Sequence, residues 1–350
     1  MTSDFDGNDT APLTRRALLK GMASVAGVVA TGMISGGFHV FAAENQPDPA
    51  KREAYRAWLQ SLPAAPAPEL TKHGLVATEL QRWSVMEGNQ GVAVDGEHFY
   101  GIGNHALVKH RKDNGERVAE WFGPRDGAII HLNAGWVDGN RLVLAHSNFP
   151  HLPMASSLEI YDTRTLQPIE TYSFGIRLGS LTWAVRHNGF WWACFANYND
   201  NGTTPGFDQR WTYLSKFDDN WQQLESWLFP PQVVATWGDS ASSGGDWGDD
   251  GLLYVTGHDA AELYVLRLPK QGVTLEYITA IDVPFEGQSW AWDRSVPGER
   301  IMYGISRARQ EVIVARIPEV LGDGGIVDCS VPVVTGAKGT EQISRGQVPG

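Results

Sequence analysis

The stretch GLLYVTGHDAAELYVLRL, from Gly251 to Leu268, decides the fold of this protein. It contains two apolar runs separated by a polar interruption, Thr256-Gly257-His258-Asp259. Short runs rich in β-branched and aromatic residues predict strands. The interruption lacks the Asn-Gly or Asp-Gly pair that is typical of a tight hairpin, so the chain is expected to turn there through a longer polar loop. The same kind of interruption recurs along the sequence.

Five apolar runs end in a small residue followed by a larger polar one. The polar positions are Asn104, His146, Asn197, His258 and Arg307, at intervals of 42, 51, 61 and 49 residues. Propeller blades recur at roughly 40–50 residues. Each of the first four interruptions is preceded by a strand and a turn, whereas the fifth copy of this pattern is degenerate. Further strands and turns follow the interruptions. Each copy therefore predicts a four-stranded antiparallel unit.

The repeat predicts an all-β, five-bladed β-propeller over residues 71–335. A single blade cannot bury both faces, so the copies pack side by side around an axis and close into a ring. The run from Leu75 to Trp83 is expected to supply the outer strand that closes the last blade. The alternative is a six-bladed ring, with a divergent blade in the longest interval, between Asn197 and His258.

The start of the chain differs from the repeat. Thr14-Arg15-Arg16-Ala17-Leu18-Leu19-Lys20 precedes a Gly/Ala-rich apolar run, Gly21 to Phe38, and a small-residue cleavage site near Ala43. This segment resembles the twin-arginine export signal of bacteria. The resemblance implies a signal peptide over residues 1–43, the twin-arginine translocase as a partner, and a periplasmic or secreted protein. The run is too weakly apolar to predict a stable membrane anchor.

Composition narrows the partners further. The net charge is −12, and no basic stripe is present, which excludes nucleic acid as an expected partner. Residues 44–70 are predicted to form a Pro/Ala-rich linker with a short helix near Arg52–Leu62, and residues 336–350 a C-terminal tail. Cys194 lies within the apolar run WWACF and is expected in the core.

Propeller topology predicts where function lies. Loops between the second and third strands share one face with the loops that join neighbouring blades, so the recurring polar residues are expected around one axial mouth. Three of the candidates at this mouth, His131, His146 and His258, are predicted metal ligands, because converging neutral imidazoles suit Zn, Mn, Fe or Cu. Calcium is less favoured, because the loop after Asn197 lacks the regular ligand spacing.

Metal-free chemistry is the second interpretation of the same residues. His131 and His258, with Asp246 to complete or orient the set, are candidate catalytic residues for acid–base chemistry. Candidate substrate-binding residues carry amide or guanidinium donors that suit a small, oxygen-rich or anionic substrate; they are Asn104, Asn133, Asn197, Gln288 and Arg307. A polar channel whose residues bond only one another and water remains an alternative.

The blade pattern resembles a broad group of exported bacterial propellers, including SMP-30/gluconolactonase-like, NHL-type and quinoprotein-like proteins, over residues 75–335. The resemblance implies a hydrolase or lyase, lactonase- or esterase-like and metal-dependent in part of the group. It equally includes non-catalytic propellers that bind ligands or act as protein scaffolds. Gluconolactonase-like calcium sites use acidic and Asn ligands, whereas this mouth is rich in His, Asn and Arg. The fold by itself does not choose among these functions.

Overall fold

A computed structural model describes most of the chain between its two ends. The described residues are 49–62, 68–177, 179–199, 202 and 204–320. The predicted signal peptide and C-terminal tail therefore lie outside the described residues. The chain divides into two units, Met1–Ala67 and Pro68–Gly350.

The described part of the first unit is a single helix, α1, spanning Pro49–Ser61. Its residues Tyr55 and Trp58 stack on each other with ring centroids 5.5 Å apart. None of the helices in the described ranges is long and apolar enough to cross a membrane.

The second unit contains five antiparallel blades of four strands, which confirms the five-bladed propeller. Three blades use four consecutive strands each. Blade 1 consists of β3 (Gly91–Val94), β4 (His98–Gly103), β5 (Ala106–Arg111) and β6 (Arg117–Phe122). Blade 2 consists of β7 (His131–Asp138), β8 (Arg141–Ser147), β9 (Ala155–Asp162) and β10 (Pro168–Ile176). Blade 3 consists of β11 (Ser180–His187), β12 (Phe190–Ala196), β13 (Tyr213–Phe217) and β14 (Gln223–Leu228).

The last two blades also receive strands from the start of the unit. Blade 4 consists of β15 (Gly244–Trp247), β16 (Leu253–Thr256), β17 (Glu262–Arg267) and β18 (Glu276–Asp282), with β1 (Leu75–Val76) added in parallel to β18. Blade 5 consists of β19 (Ala291–Asp293), β20 (Ile301–Ser306), β21 (Glu311–Arg316) and β2 (Thr78–Ser84). The expectation that an early strand closes the last blade is confirmed, because β2 pairs antiparallel with β21.

The longest interval of the repeat does not contain a sixth blade. Between Asn197 and His258 the described residues form β13 and β14 of blade 3 and β15 and β16 of blade 4. They also form a helical turn, α2 (Pro231–Val234), and two 3₁₀ turns (Gln209–Trp211 and Ala235–Trp237). Val233, Val234 and Trp237 pack into the core shared with blades 3 and 4. The extra length therefore forms a loop between β12 and β13, which we call the rim loop, and a helical turn that fills the core. The six-bladed alternative is wrong.

The core lies between adjacent blades, and large aromatic residues dominate it. Trp183 on β11 is fully buried, and its ring lies against Gly245 on β15, where an added Cβ would come within 2.5 Å of it. A side chain at position 245 would force blades 3 and 4 apart, because packed interiors leave no spare volume. Cys194 is fully buried in the same core, as predicted, and burial raises the pKa of its thiol to about 12.

The innermost strands, β3, β7, β11, β15 and β19, line an axial channel with two distinct ends. At one end these strands begin; a Cβ added to Gly91 of β3 would lie 3.2 Å from the Asn133 carbonyl and 2.6 Å from Ser289 Cβ. Blades 1, 2 and 5 therefore converge there. We call this end, where innermost strands begin and second strands finish, the mouth. We call the opposite end, where each innermost strand turns into the second strand, the hairpin end.

Candidate functional site

Four of the predicted site residues keep exposed surface at the mouth. Asn104, His131 and His258 are partly exposed, and Arg307 is exposed. They belong to blades 1, 2, 4 and 5, and each lies at or beside the end of a strand that reaches this face. The strand-to-loop positions identified in the sequence therefore converge as the topology predicts.

His131 is the first residue of β7 and lies against an aromatic wall. Its ring centroid is 5.1 Å from that of Phe149, which in turn contacts Tyr198 edge-on at 5.1 Å. Burial, together with smaller contributions from the neighbouring His146, Arg307 and His258, lowers the pKa of His131 to about 4. His131 is consequently neutral near pH 7, in surroundings that disfavour a second positive charge.

His258 and Arg307 form a hydrogen-bonded pair across blades 4 and 5. Arg307 Nη1 lies 2.9 Å from His258 Nε2, and His258 Nδ1 lies 2.6 Å from Asp259 Oδ1. Because a guanidinium only donates, Nε2 is the acceptor, and the Nδ1 proton is donated to Asp259. This chain holds the imidazole in one tautomer and orients the guanidinium.

Two further side chains hold the rim around this pair. Gln288 is buried and donates from Nε2 to the main-chain oxygen of His258 at 3.2 Å. Glu286 accepts the Ser306 hydroxyl at 3.0 Å and the Arg307 N–H at 3.1 Å. Gln288, which the sequence predicts to bind substrate, therefore supports the main chain at His258. The sequence reasoning missed Glu286, although it lies in the same blade-joining loop as Gln288.

His146 is buried and its two ring nitrogens are both used inside blade 2. Nε2 accepts the main-chain N–H of Ile130 at 3.1 Å, and Nδ1 lies 2.9 Å from the Ser157 hydroxyl. Ser157 donates to Glu159, a buried carboxylate. Burial is the main cause that lowers the pKa of His146. His146 thus fixes the segment that carries His131.

The three histidines do not form the predicted metal set. Within the ranges that the structure describes, no group of three or more His, Cys, Asp or Glu residues is arranged to hold a metal ion. The ring nitrogens of His146 and His258 already bond protein groups, which leaves no lone pair on them for a metal.

Two of the predicted asparagines are buried and join neighbouring segments. Asn133 donates to the Leu181 carbonyl of blade 3 at 3.2 Å, and Asn197 donates to the Trp211 carbonyl of the rim loop at 3.2 Å. Asn104 accepts the Leu132 N–H through its main-chain oxygen at 2.9 Å. Asn104 is therefore the one predicted asparagine that retains accessible surface at the mouth.

Asp246 is not at the mouth, and its expected position was wrong. It is the third residue of β15 and lines a cavity of about 330 Å³ at the hairpin end of the channel. Its Oδ2 accepts Arg294 Nη1 at 2.8 Å, and its Oδ1 accepts the Trp247 N–H at 2.7 Å. Burial raises the pKa of Asp246 in spite of Arg294. Because β15 begins at Gly244, Asp246 lies inside this strand and not in the loop that joins blades 3 and 4.

Comparison with known proteins gives little beyond the fold class. No family model and no curated protein sequence matches the chain. Similar solved structures include a chain of the mitotic checkpoint complex, at 9% identity, covering 73% of this chain and 97% of that one. Others are Kuenenia stuttgartiensis hydrazine synthase, at 12% identity over 64% and 70%, and a luciferin-regenerating enzyme, at 11% over 70% and 81%. Each has a TM-score of 0.38, so the five blades rest on this chain's own strand pairing.

Proposed function

We propose that the mouth binds a small, anionic, oxygen-rich molecule and that His131 acts on it as a general base in a hydrolytic or lyase reaction. The observation that carries this proposal is the state of His131. It is neutral and partly exposed, burial is the main cause that lowers its pKa, and the Arg307 guanidinium lowers this pKa as well. The positive charge of Arg307, which disfavours a proton on His131, favours a bound anion.

Anion binding would make His131 a better base. With a pKa of about 4, His131 by itself is a weak base. A carboxylate bound beside it favours the protonated imidazole and moves the pKa of His131 back toward neutrality, where general-base catalysis is most effective. The ligand therefore activates the group that reacts with it.

Arg307 supplies the matching electrophilic group. His258 accepts one of its N–H groups, so the guanidinium is oriented before a ligand arrives. In lactone or ester hydrolysis, His131 would take a proton from the attacking water, and Arg307 would stabilise the oxygen that becomes negative. In a lyase reaction, the same base would take a proton from the carbon next to a carboxylate. Neither route requires a metal.

The test is a turnover screen with lactones, esters and hydroxy-acids that carry a carboxylate, on the native protein and three variants. His131→Gln should lower kcat/KM by about 10²- to 10⁴-fold, the usual contribution of a general base. Arg307→Gln should mainly raise KM and weaken binding of anionic product. His151→Gln is the matched control, because His151 is an exposed residue of a neighbouring loop. Turnover that survives His131→Gln, or ligands that bind and are recovered unchanged, would contradict the catalytic role.

We also propose that the protein is exported folded to the periplasm or beyond. The support is the Arg15-Arg16 motif and the apolar run after it. Both lie outside the described residues.

A further inference from the structure

The cavity at the hairpin end is built by all five blades. Its walls include Val94 of β3, Trp136 of β7, Val185 of β11, Asp246 of β15 and Trp292 of β19. Its volume of about 330 Å³ falls in the range of small-molecule sites in proteins. It is separate from the mouth, because it lies where the innermost strands end.

The walls of this cavity carry an excess of negative charge. The charged residues among its walls are Asp95, Asp246 and Arg294. Asp246 pairs with Arg294 at 2.8 Å, so Asp95, which has His98 Nδ1 at 3.4 Å, carries the excess negative charge. The nearby Lys112 and Asp293 form an ion pair at 2.6 Å and cancel each other. The hairpin end therefore favours a cation.

The carboxylates of the cavity are already hydrogen-bonded. Both oxygens of Asp246 accept protein donors, one from the Trp247 N–H and one from Arg294. Asp95 accepts the N–H groups of Glu97 and His98 and the hydroxyl of Tyr100. These groups contribute a negative field but few acceptor positions, so a cation that carries no N–H groups of its own suits them best.

Aromatic rings supply the remaining contacts. Trp136, Trp290 and Trp292 line the cavity, and the rings of Trp290 and Trp292 stand nearly perpendicular, with centroids 5.5 Å apart. Trp136 is only partly buried. Indole faces attract cations that have left water, and quaternary ammonium groups are favoured because their hydration is easily replaced.

We propose that the hairpin-end cavity is a binding site for a small quaternary ammonium compound. Its methyl groups contact the indoles of Trp136 and Trp290, because the ring of Trp292 already lies against the Arg300 guanidinium, and its charge is balanced by the carboxylate of Asp95. This site is independent of the chemistry proposed at the mouth.

Three probes of nearly identical shape test the charge requirement. Choline is cationic, 3,3-dimethylbutan-1-ol is its neutral analogue, and 3,3-dimethylbutanoate is the anionic one. Calorimetric titration of the whole protein should show saturable binding of choline, at least about tenfold tighter than the alcohol, and no binding of the anion. Equal binding of choline and the alcohol, preferential binding of the anion, or no choline binding overturns the proposal.

Variants test the location. Trp136→Leu should weaken choline binding by about 3- to 30-fold, the range of one desolvated cation–π contact. Trp227→Leu is the matched control, because Trp227 is also partly buried but lies outside this cavity. Asp95→Asn removes the uncompensated charge, and should weaken choline binding while leaving the alcohol unchanged. Arg307→Gln at the mouth should leave choline binding unchanged. Equal loss in Trp136→Leu and Trp227→Leu, with no effect of Asp95→Asn, would contradict the assigned site.

Discussion

At the residue scale, the same side-chain type performs three tasks at the mouth. His146 has both nitrogens bonded inside blade 2, His258 links Asp259 to Arg307, and His131 faces the aromatic wall of Phe149. An imidazole in a sequence is a donor, an acceptor or a base according to its neighbours. The pattern of the chain predicts that these histidines approach one another, whereas their roles follow from partners on other strands.

The depressed pKa of His131 predicts a stability effect with a definite sign. Its folded-state pKa of about 4 lies below the ordinary value of 6.5, so between these values the unfolded chain binds more protons. Stability should therefore fall as pH decreases from about 6.5 toward 4.

Replacing His131 tests this linkage. When the pH is lowered from about 7.5 to 4.5, the unfolding free energy of the native protein should fall by about 2 to 3 kcal/mol more than that of His131→Gln. Some acid sensitivity should remain, because the pKa values of His146 and His187 are lowered as well. Urea unfolding at the two pH values is the measurement, with His151→Gln as the control. Equal losses in native protein and His131→Gln would show that the pKa is not depressed.

At the element scale, ring closure depends on β2, a strand from the start of the unit. It pairs with β21 from Thr78↔Arg316 to Ser84↔Glu311, with an irregularity between Glu79 and Gln81. Trp83 of this strand stacks with Phe99 of blade 1, with ring centroids 6.4 Å apart. Without β2, blade 5 would expose the edge of β21, and the contact of Trp83 with Phe99 of blade 1 would be lost.

Two rearranged chains test this closure. Deletion of residues 75–84 should abolish the single cooperative unfolding transition, because it removes a whole blade edge. A circular permutant should restore it, with residues 68–84 placed after residue 320 through a short Gly/Ser linker, since β2 then follows β21 as an ordinary fourth strand. Circular dichroism during heating is the measurement. A deletion variant that unfolds as cooperatively as the native chain would show that β2 is dispensable.

At the scale of the whole molecule, five blades enclose one channel with two chemically different ends. The mouth carries Arg307 and histidines with the carboxylates of Asp259 and Glu286, and the hairpin end carries Asp95, Asp246 and Arg294 among three indoles. This difference arises because each innermost strand runs along the channel from one end to the other. Residues a few positions apart in such a strand therefore lie at different sites.

The proposed export also concerns the whole molecule. The ring closes only when β2 and β21, at opposite ends of the unit, have met, so a route for folded proteins suits this architecture. Arg15→Lys combined with Arg16→Lys should leave the protein inside the cell in its full-length form, as shown by fractionation and mass spectrometry. The same conservative change at Arg52 and Arg56 is the control. Unchanged export of the Arg15/Arg16 variant would contradict the twin-arginine route.

Much of the architecture was predictable from the sequence, because its signals are local. The alternation of apolar residues, the turns and the recurring small-then-polar step predict five blades, the closing strand and a mouth that includes His131, His258 and Arg307. Each signal depends on residues adjacent in the chain. Burial of Cys194 was predictable for the same reason.

Only the tertiary structure decided which polar groups are available for function. His146, Asn133, Asn197 and Gln288 are used to hold segments together, and Asp246 belongs to the opposite end of the channel. A polar side chain is free to bind a ligand only when no neighbour satisfies it. Those neighbours lie on other strands, blades or loops that are distant in the sequence and adjacent only in the closed ring.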